Sequence, residues 1–161
     1  MGEVDGHWSL SVHAAMERVV DRARDLTGAR YAALGILNIR RTELEELFTA
    51  GLNADVRRAI GILPRGRGVL GALIEHAKPV RLIDVGQDSR SYGFPAGHPV
   101  IRGFLGVPVM IGGKASGNLY VANRASGEFT EADEAAVVAL AGSAARTIEA
   151  ARSRDADPAL G

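Results

Sequence analysis

Phe104-Leu105-Gly106-Val107-Pro108-Val109-Met110-Ile111 is followed by Gly112-Gly113-Lys114-Ala115-Ser116-Gly117 and then by Asn118-Leu119-Tyr120-Val121-Ala122-Asn123. Two short apolar runs joined by a glycine-containing connector read as antiparallel strands and their hairpin. The expected strands cover 104–111 and 118–123, with 112–117 as a flexible turn. Side chains on a strand alternate between faces, so Leu119 and Val121 are expected to pack against helices while Tyr120 points the other way.

Downstream, Thr130 is positioned to cap a helix that opens with Glu131, Ala132 and Asp133, where acidic groups face the positive end of the helix dipole. Val137, Leu140, Ala141, Ala144 and Ile148 recur at helical spacing and form its buried stripe. Upstream, the spacing of Val12, Met16, Val19, Val20 and Ala23 predicts a helix over Leu10–Leu26. Tyr31–Asn38 reads as a strand and Pro79–Ile83 as a brief strand, while Glu43–Ala50 fits either a helix or a strand and its position after a short turn favours a hairpin partner. Asn53–Ile60 and Val69–His76 read as short helices, with a glycine-rich loop at 63–68 between them and a polar loop over 86–97. The order predicts an α+β fold with a central antiparallel sheet and the terminal helices on one face. The short helices and the long loop are left to form a ligand pocket on the other face. Residues 1–8 read as a flexible arm, 9–150 as the domain and 151–161 as a flexible tail.

The bulk numbers exclude several classes. A chain of 161 residues that is 47% apolar makes one globular domain with a sizeable core. Its 19 basic residues balance 19 acidic ones, so it lacks the basic excess expected of a nucleic-acid binder and any polybasic membrane anchor. The absence of cysteine removes disulfides, thiolate metal sites and cysteine nucleophiles together. No apolar run approaches the ~20 residues that cross a bilayer, and no signal-peptide pattern opens the chain. A cytoplasmic protein is the expectation.

Three stretches carry a family resemblance: Leu63-Pro64-Arg65-Gly66-Arg67-Gly68-Val69-Leu70-Gly71, Phe104-Leu105-Gly106-Val107-Pro108-Val109 and Gly117-Asn118-Leu119-Tyr120-Val121-Ala122-Asn123. With the terminal helices they make the chain resemble a GAF domain over roughly residues 9–150, by the order of elements just read. Gly93-Phe94-Pro95, His98-Pro99 and Arg102-Gly103-Phe104 narrow the likeness to the haem-binding first GAF domain of mycobacterial DosS/DosT (DevS-type) oxygen-sensor kinases. That resemblance implies haem b, with His98 as the proximal iron ligand and Tyr120 on the distal side near bound gas. It adds Gly35 and Phe104 as cofactor contacts, Gly35 standing where one branch of the family has a glutamate and leaving a more open route for gas. It implies a sensor of O2, NO, CO or redox state that acts in a two-component system on a partner histidine kinase or another signalling protein. The second GAF domain, phosphoacceptor helix and ATP-binding domain of those kinases do not fit within this chain.

The residues agree in part with that implication. One axial imidazole leaves an iron position open to a diatomic ligand, and Pro95 and Pro99 restrict the loop around His98. A phenol at Tyr120 can hydrogen-bond an iron-bound ligand directly or through water. By the bland alternative, a lone loop histidine is solvated and a lone strand tyrosine serves packing. His7 in the arm, His13 on a semi-exposed helix face and His76 at a helix end form no metal-binding spacing.

Other classes compete. Asn123-Arg124, Phe129 and Asp133-Glu134 nearly match the NKFDE-like signature of cyclic-nucleotide GAF domains, although an Arg124–Asp133 pair fixing the last helix to the sheet is an equally good reading. Arg65–Gly71 lacks the lysine and Ser/Thr of a P-loop. A nitrate-type anion could sit at the helix starts near Gly68-Val69 or Asn53. The stripes of the first and last helices cover the domain's own sheet or pair two copies into a ligand-free homodimeric bundle, and wide stripes can do both. Catalysis is not expected: the sulfoxide reductases of this fold use cysteine, and no nucleophile elbow is present.

Overall fold

The computed structural model describes residues 8–52, 76–84 and 102–156. The expected helices over 53–60 and 69–75, the loops at 63–68 and 86–97, the pocket they were to enclose and both candidate anion positions lie outside the described residues.

Helix α1 (Leu10–Thr27) starts at Ser9, whose hydroxyl accepts from the Val12 amide at 3.2 Å, and stops at Gly28 in the left-handed region with φ 70°. Its buried face is Val12, Met16, Val19, Val20 and Ala23, as the spacing predicts. Strands β1 (Ala29–Leu37), β2 (Leu44–Ala50), β3 (Val80–Leu82), β4 (Phe104–Ile111) and β5 (Lys114–Arg124) form one antiparallel sheet in the order β2-β1-β5-β4-β3. Of the run 43–50, Leu44–Ala50 is therefore a strand, paired with β1 as its position after a short turn favours.

One expectation needs correction at the β4–β5 hairpin. The connector is not a six-residue flexible turn: only Gly112 and Gly113 turn, both at positive φ (60° and 78°), and β5 is already paired at Lys114. Two successive left-handed residues make the tight turn whose twist matches the flanking strands. Gly117 belongs to the strand for a packing reason. A Cβ there would stand 2.4 Å from the Gly35 carbonyl oxygen, so its hydrogen lets β5 lie close against β1.

Helix α2 (Glu131–Ala156) closes the domain. Thr130 Oγ1 accepts from the Asp133 amide at 3.1 Å, and Asp133 Oδ2 accepts from the Thr130 amide at 2.9 Å. This reciprocal pair satisfies two amides that the helix start leaves open. Val137, Ala141, Ala144 and Ile148 are buried and Leu140 packs beside them. With the α1 stripe they meet Ala32, Leu34, Ile36, Leu105, Val107, Leu119 and Val121 from the inner face of the sheet. Both helical stripes thus cover the domain's own sheet.

Trp8 and 151–156, expected in the arm and the tail, belong to the folded domain. Trp8 is buried in the core, Ala151 is buried, and α2 continues through Ala156. Arg152, assigned to the tail, donates from Nη2 to the Leu37 carbonyl at 2.6 Å and lies 3.3 Å from Glu45 Oε1. Its acceptors sit at the register shift between β1 and β2, so the end of α2 is fastened to the end of β1. No helix among the described residues is long and apolar enough to cross a membrane.

Candidate functional site

The inner face of the sheet belongs to the helices, and alternation leaves the other residues to the outer face. Three rows cross it. Thr49, Ala33, Tyr120, Gly106 and Val80 occupy successive register positions in one row. Leu47, Gly35, Asn118 and Pro108 form the row on one side, and Tyr31, Ala122, Phe104 and Leu82 the row on the other. None of these residues is charged. Ala33, Phe104, Tyr120 and Ala122 make a second apolar cluster, separate from the main core, with Tyr31, Leu47, Val80 and Leu82 packed against it.

Tyr120 stands at the centre of this face, flanked in its row by Ala33 and Gly106, which have almost no side chain. Phe104 stacks on it, the ring centroids 5.4 Å apart and the planes 26° from parallel. Such an offset arrangement restrains the phenol ring and fixes its direction. Burial pushes the phenol up to about 12 from the usual 10, because a phenolate is poorly solvated there. At neutral pH the group is an uncharged hydroxyl, able both to donate and to accept. No side-chain hydrogen bond joins Tyr120 or Asn118 to another described residue.

Three of the four expected cofactor contacts therefore share one face: Gly35, Phe104 and Tyr120. His98 lies outside the described residues, as do His7, Pro95 and Pro99. Where the face is described, it is apolar apart from the Tyr120 hydroxyl, Asn118, Thr49 and the half-buried Tyr31. The floor is small and uncharged, with one aromatic pair and one neutral hydroxyl, the kind of lining small-molecule sites use. Asn118 was missed by the sequence reading. It lies two residues before Tyr120, and the alternation that placed the tyrosine also puts the carboxamide on the same face.

The nucleotide-like signature sits elsewhere. Asn123, at φ 57°, accepts the Arg102 amide on Oδ1 at 2.8 Å. Arg124 donates to the Thr27 carbonyl at 3.2 Å and the Glu128 carbonyl at 2.7 Å, and lies 3.8 Å from Asp133 Oδ2. Phe129 is buried in the main core, and Glu134 pairs with Arg81 at 3.2 Å. These side chains lock the start of α2 to the sheet and to the end of α1, as the structural reading of the Arg124–Asp133 pair required. His13 also lies on the helix side, edge-on to Trp8 and Phe48 and 3.8 Å from Glu46. His76 is exposed. Among the described residues, no three His, Asp or Glu side chains converge as a metal cluster.

A family model described as GAF domain matches residues 9–149. The GAF domain of a phosphoenolpyruvate-protein phosphotransferase from Coxiella burnetii is similar at 29% identity and TM-score 0.79, over 96% of this chain and 90% of that one. The corresponding domain from Acinetobacter is similar at 26% identity and TM-score 0.75, over 94% and 89%. A free methionine-R-sulfoxide reductase from Neisseria meningitidis, with its substrate bound, shares the fold at 21% identity and TM-score 0.71, over 88% and 80%.

Proposed function

The chain belongs to the GAF domain family, and on that premise we propose that it is a regulatory sensor domain whose outer sheet face takes a non-covalent haem b. The observation that supports this reading is the setting of Tyr120: a neutral, buried phenol braced by Phe104 over a floor of Ala33, Gly35 and Gly106. When bound, haem supplies an iron that takes O2, NO or CO. In this assignment His98 would hold the iron and Tyr120 would offer its hydroxyl proton to the bound gas, with Phe104 restraining the direction of that hydroxyl. Gly35 puts no side chain of its own on the β1 side of the face. A ligand-dependent change in the contacts of β1 and β5 would be read by a partner histidine kinase or other signalling protein, or by a second copy of the chain.

The relatives at 29% and 26% identity are GAF domains of phosphotransferases, which supports a regulatory role beside a catalytic partner. The test is an absorption spectrum of the protein supplied with haem. A Soret band that is lost or displaced in His98→Ala is the expected result. A spectrum indifferent to that substitution removes His98 as ligand. If the protein takes up no haem, titrations with cAMP, cGMP and nitrate, followed by sedimentation, separate a nucleotide sensor, an anion sensor and a ligand-free dimerisation module.

A further inference from the structure

At its start β1 is paired on one side only: Ala29 and Tyr31 are in register with Arg124 and Ala122 of β5, whereas the first partner on β2 belongs to Ala32. Arg30 lies in this half-open stretch, and its backbone is fixed there. The Arg30 carbonyl accepts from Arg24 Nε at 3.0 Å. Gly51, at φ 88°, closes on the same carbonyl so tightly that a Cβ on it would lie 2.2 Å away. The Arg30 side chain is exposed, and its guanidinium carbon lies 5.7 Å from the centroid of the Tyr31 ring. At that distance the negative face of the ring attracts the cation and leaves the N–H groups at the guanidinium edge able to donate. Among the described residues no carboxylate pairs with it.

Tyr31 ties this cation to the outer face. The ring packs against the cluster of Ala33, Phe104, Tyr120 and Ala122. Tyr31 opposes Ala122, so Tyr120, two residues back on β5, is its diagonal neighbour, at a separation of about 7–8 Å. The face itself is uncharged, and the cation stands one ring beyond the diagonal neighbour of its central phenol. A purely apolar ligand makes no use of such a margin. A flat ligand with an acid arm does: its body rests on the small residues around Tyr120 and its carboxylate reaches the edge. A guanidinium meets a carboxylate with two parallel hydrogen bonds.

We propose that Arg30 is an anchoring residue for the ligand: the outer face takes flat, carboxylate-bearing molecules, and Arg30, braced on Tyr31, binds the carboxylate at the margin where β1 begins. The inference rests on the outer face being a ligand site, as in the gas-sensor reading above, and names the class of ligand. Haem, with its propionates, is one member of that class.

The experiment titrates the full chain, Arg30→Gln and Arg30→Lys with haem, with haem dimethyl ester and with iron-free protoporphyrin, the last followed by its own fluorescence. Wild type is expected to bind both free acids about tenfold more tightly than the ester, the scale of one charge-assisted pair. Arg30→Gln is expected to lose that preference and to keep its affinity for the ester, which a loss of packing alone would lower as well. Added salt narrows the preference in wild type and leaves Arg30→Gln as it was. Arg30→Lys keeps the charge without the fork and recovers part of the preference. If haem gives a His98-dependent Soret band but Arg30→Gln separates acid from ester as wild type does, the anchor is wrong and the gas-sensor reading stands. If the iron-free acid binds through Arg30 while haem gives no His98-dependent band, the anchor stands and the gas-sensor reading falls. If wild type binds neither acid, both fall.

Discussion

Phe104 and Tyr120 stack across two strands although they are not register partners: Phe104 faces Ala122, and Tyr120 faces Gly106. The contact is diagonal, and the small residues opposite each ring are what allow the two rings to lean together. A tyrosine fixed in this way is buried as a neutral acid, which has a measurable consequence at high pH.

The Tyr120 proton leaves near pH 12 in the folded chain and near 10 in the unfolded one. The folded state holds the proton more tightly, so the contribution to stability is complete below pH 10 and is lost as pH rises toward 12. The loss over that window is of the order of 2 kcal/mol. Urea unfolding of wild type and Tyr120→Phe at pH 9 and pH 11.5 checks it. The wild type is expected to lose more stability than the variant between the two conditions.

Gly117→Ala is expected to be far worse than Gly112→Ala. At Gly117 the added carbon meets the Gly35 carbonyl at 2.4 Å, while Gly112 has open space and only its φ of 60° to resist substitution. The turn variant loses about 1 kcal/mol for the left-handed backbone. The strand variant must push β5 away from β1 and is expected to lose roughly 3 kcal/mol, as overpacking costs at the upper end of its range. Denaturant midpoints of the two proteins give the comparison directly.

Asp133→Ala removes the acceptor of the Thr130 amide and the carboxylate beside Arg124 in one step. A lost capping interaction, with the loss of the carboxylate beside a guanidinium that keeps its two carbonyl acceptors, is expected to lower stability by about 1 to 2 kcal/mol. Thr130→Ala loses only the other half of the cap, about 1 kcal/mol. Neither change touches the outer face, so ligand uptake measured on the folded protein is expected to stay as it was.

Trp8 is the chain's single tryptophan and is buried against the helical side of the core. Trp8→Ala is expected to cost about 3 kcal/mol, the figure for emptying a large aromatic site. Wild-type emission is expected to be that of a buried indole and to shift red in the same urea range as the circular dichroism. An emission already red-shifted under native conditions would mean that Trp8 belongs to the arm after all.

Much of the fold was legible because its signals are local. The stripes of α1 and α2, the cap at Thr130 and the alternation through Leu119, Tyr120 and Val121 all follow from spacing alone. What escaped was set by contacts distant in sequence. Arg152 reads as tail because its partners, Leu37 and Glu45, are more than a hundred residues away. Gly117 reads as turn because glycine marks turns, and only the neighbouring carbonyl of Gly35 reveals why a strand needs it. Within the site, Tyr120, Phe104 and Gly35 share a face, as strand periodicity allows. Asn118 was open to the same logic but was overlooked, since a lone asparagine in a strand has no motif to announce it.

Arg152 has a mechanical consequence. By gripping the Leu37 carbonyl, it couples the far end of a helix about 39 Å long to a strand whose Gly35 lies two residues further in. Twisting or pulling that helix therefore loads β1 lengthwise, and a strand stretched from one end transmits the strain to whatever rests on its outer surface. Force in the reverse direction travels by the same rod.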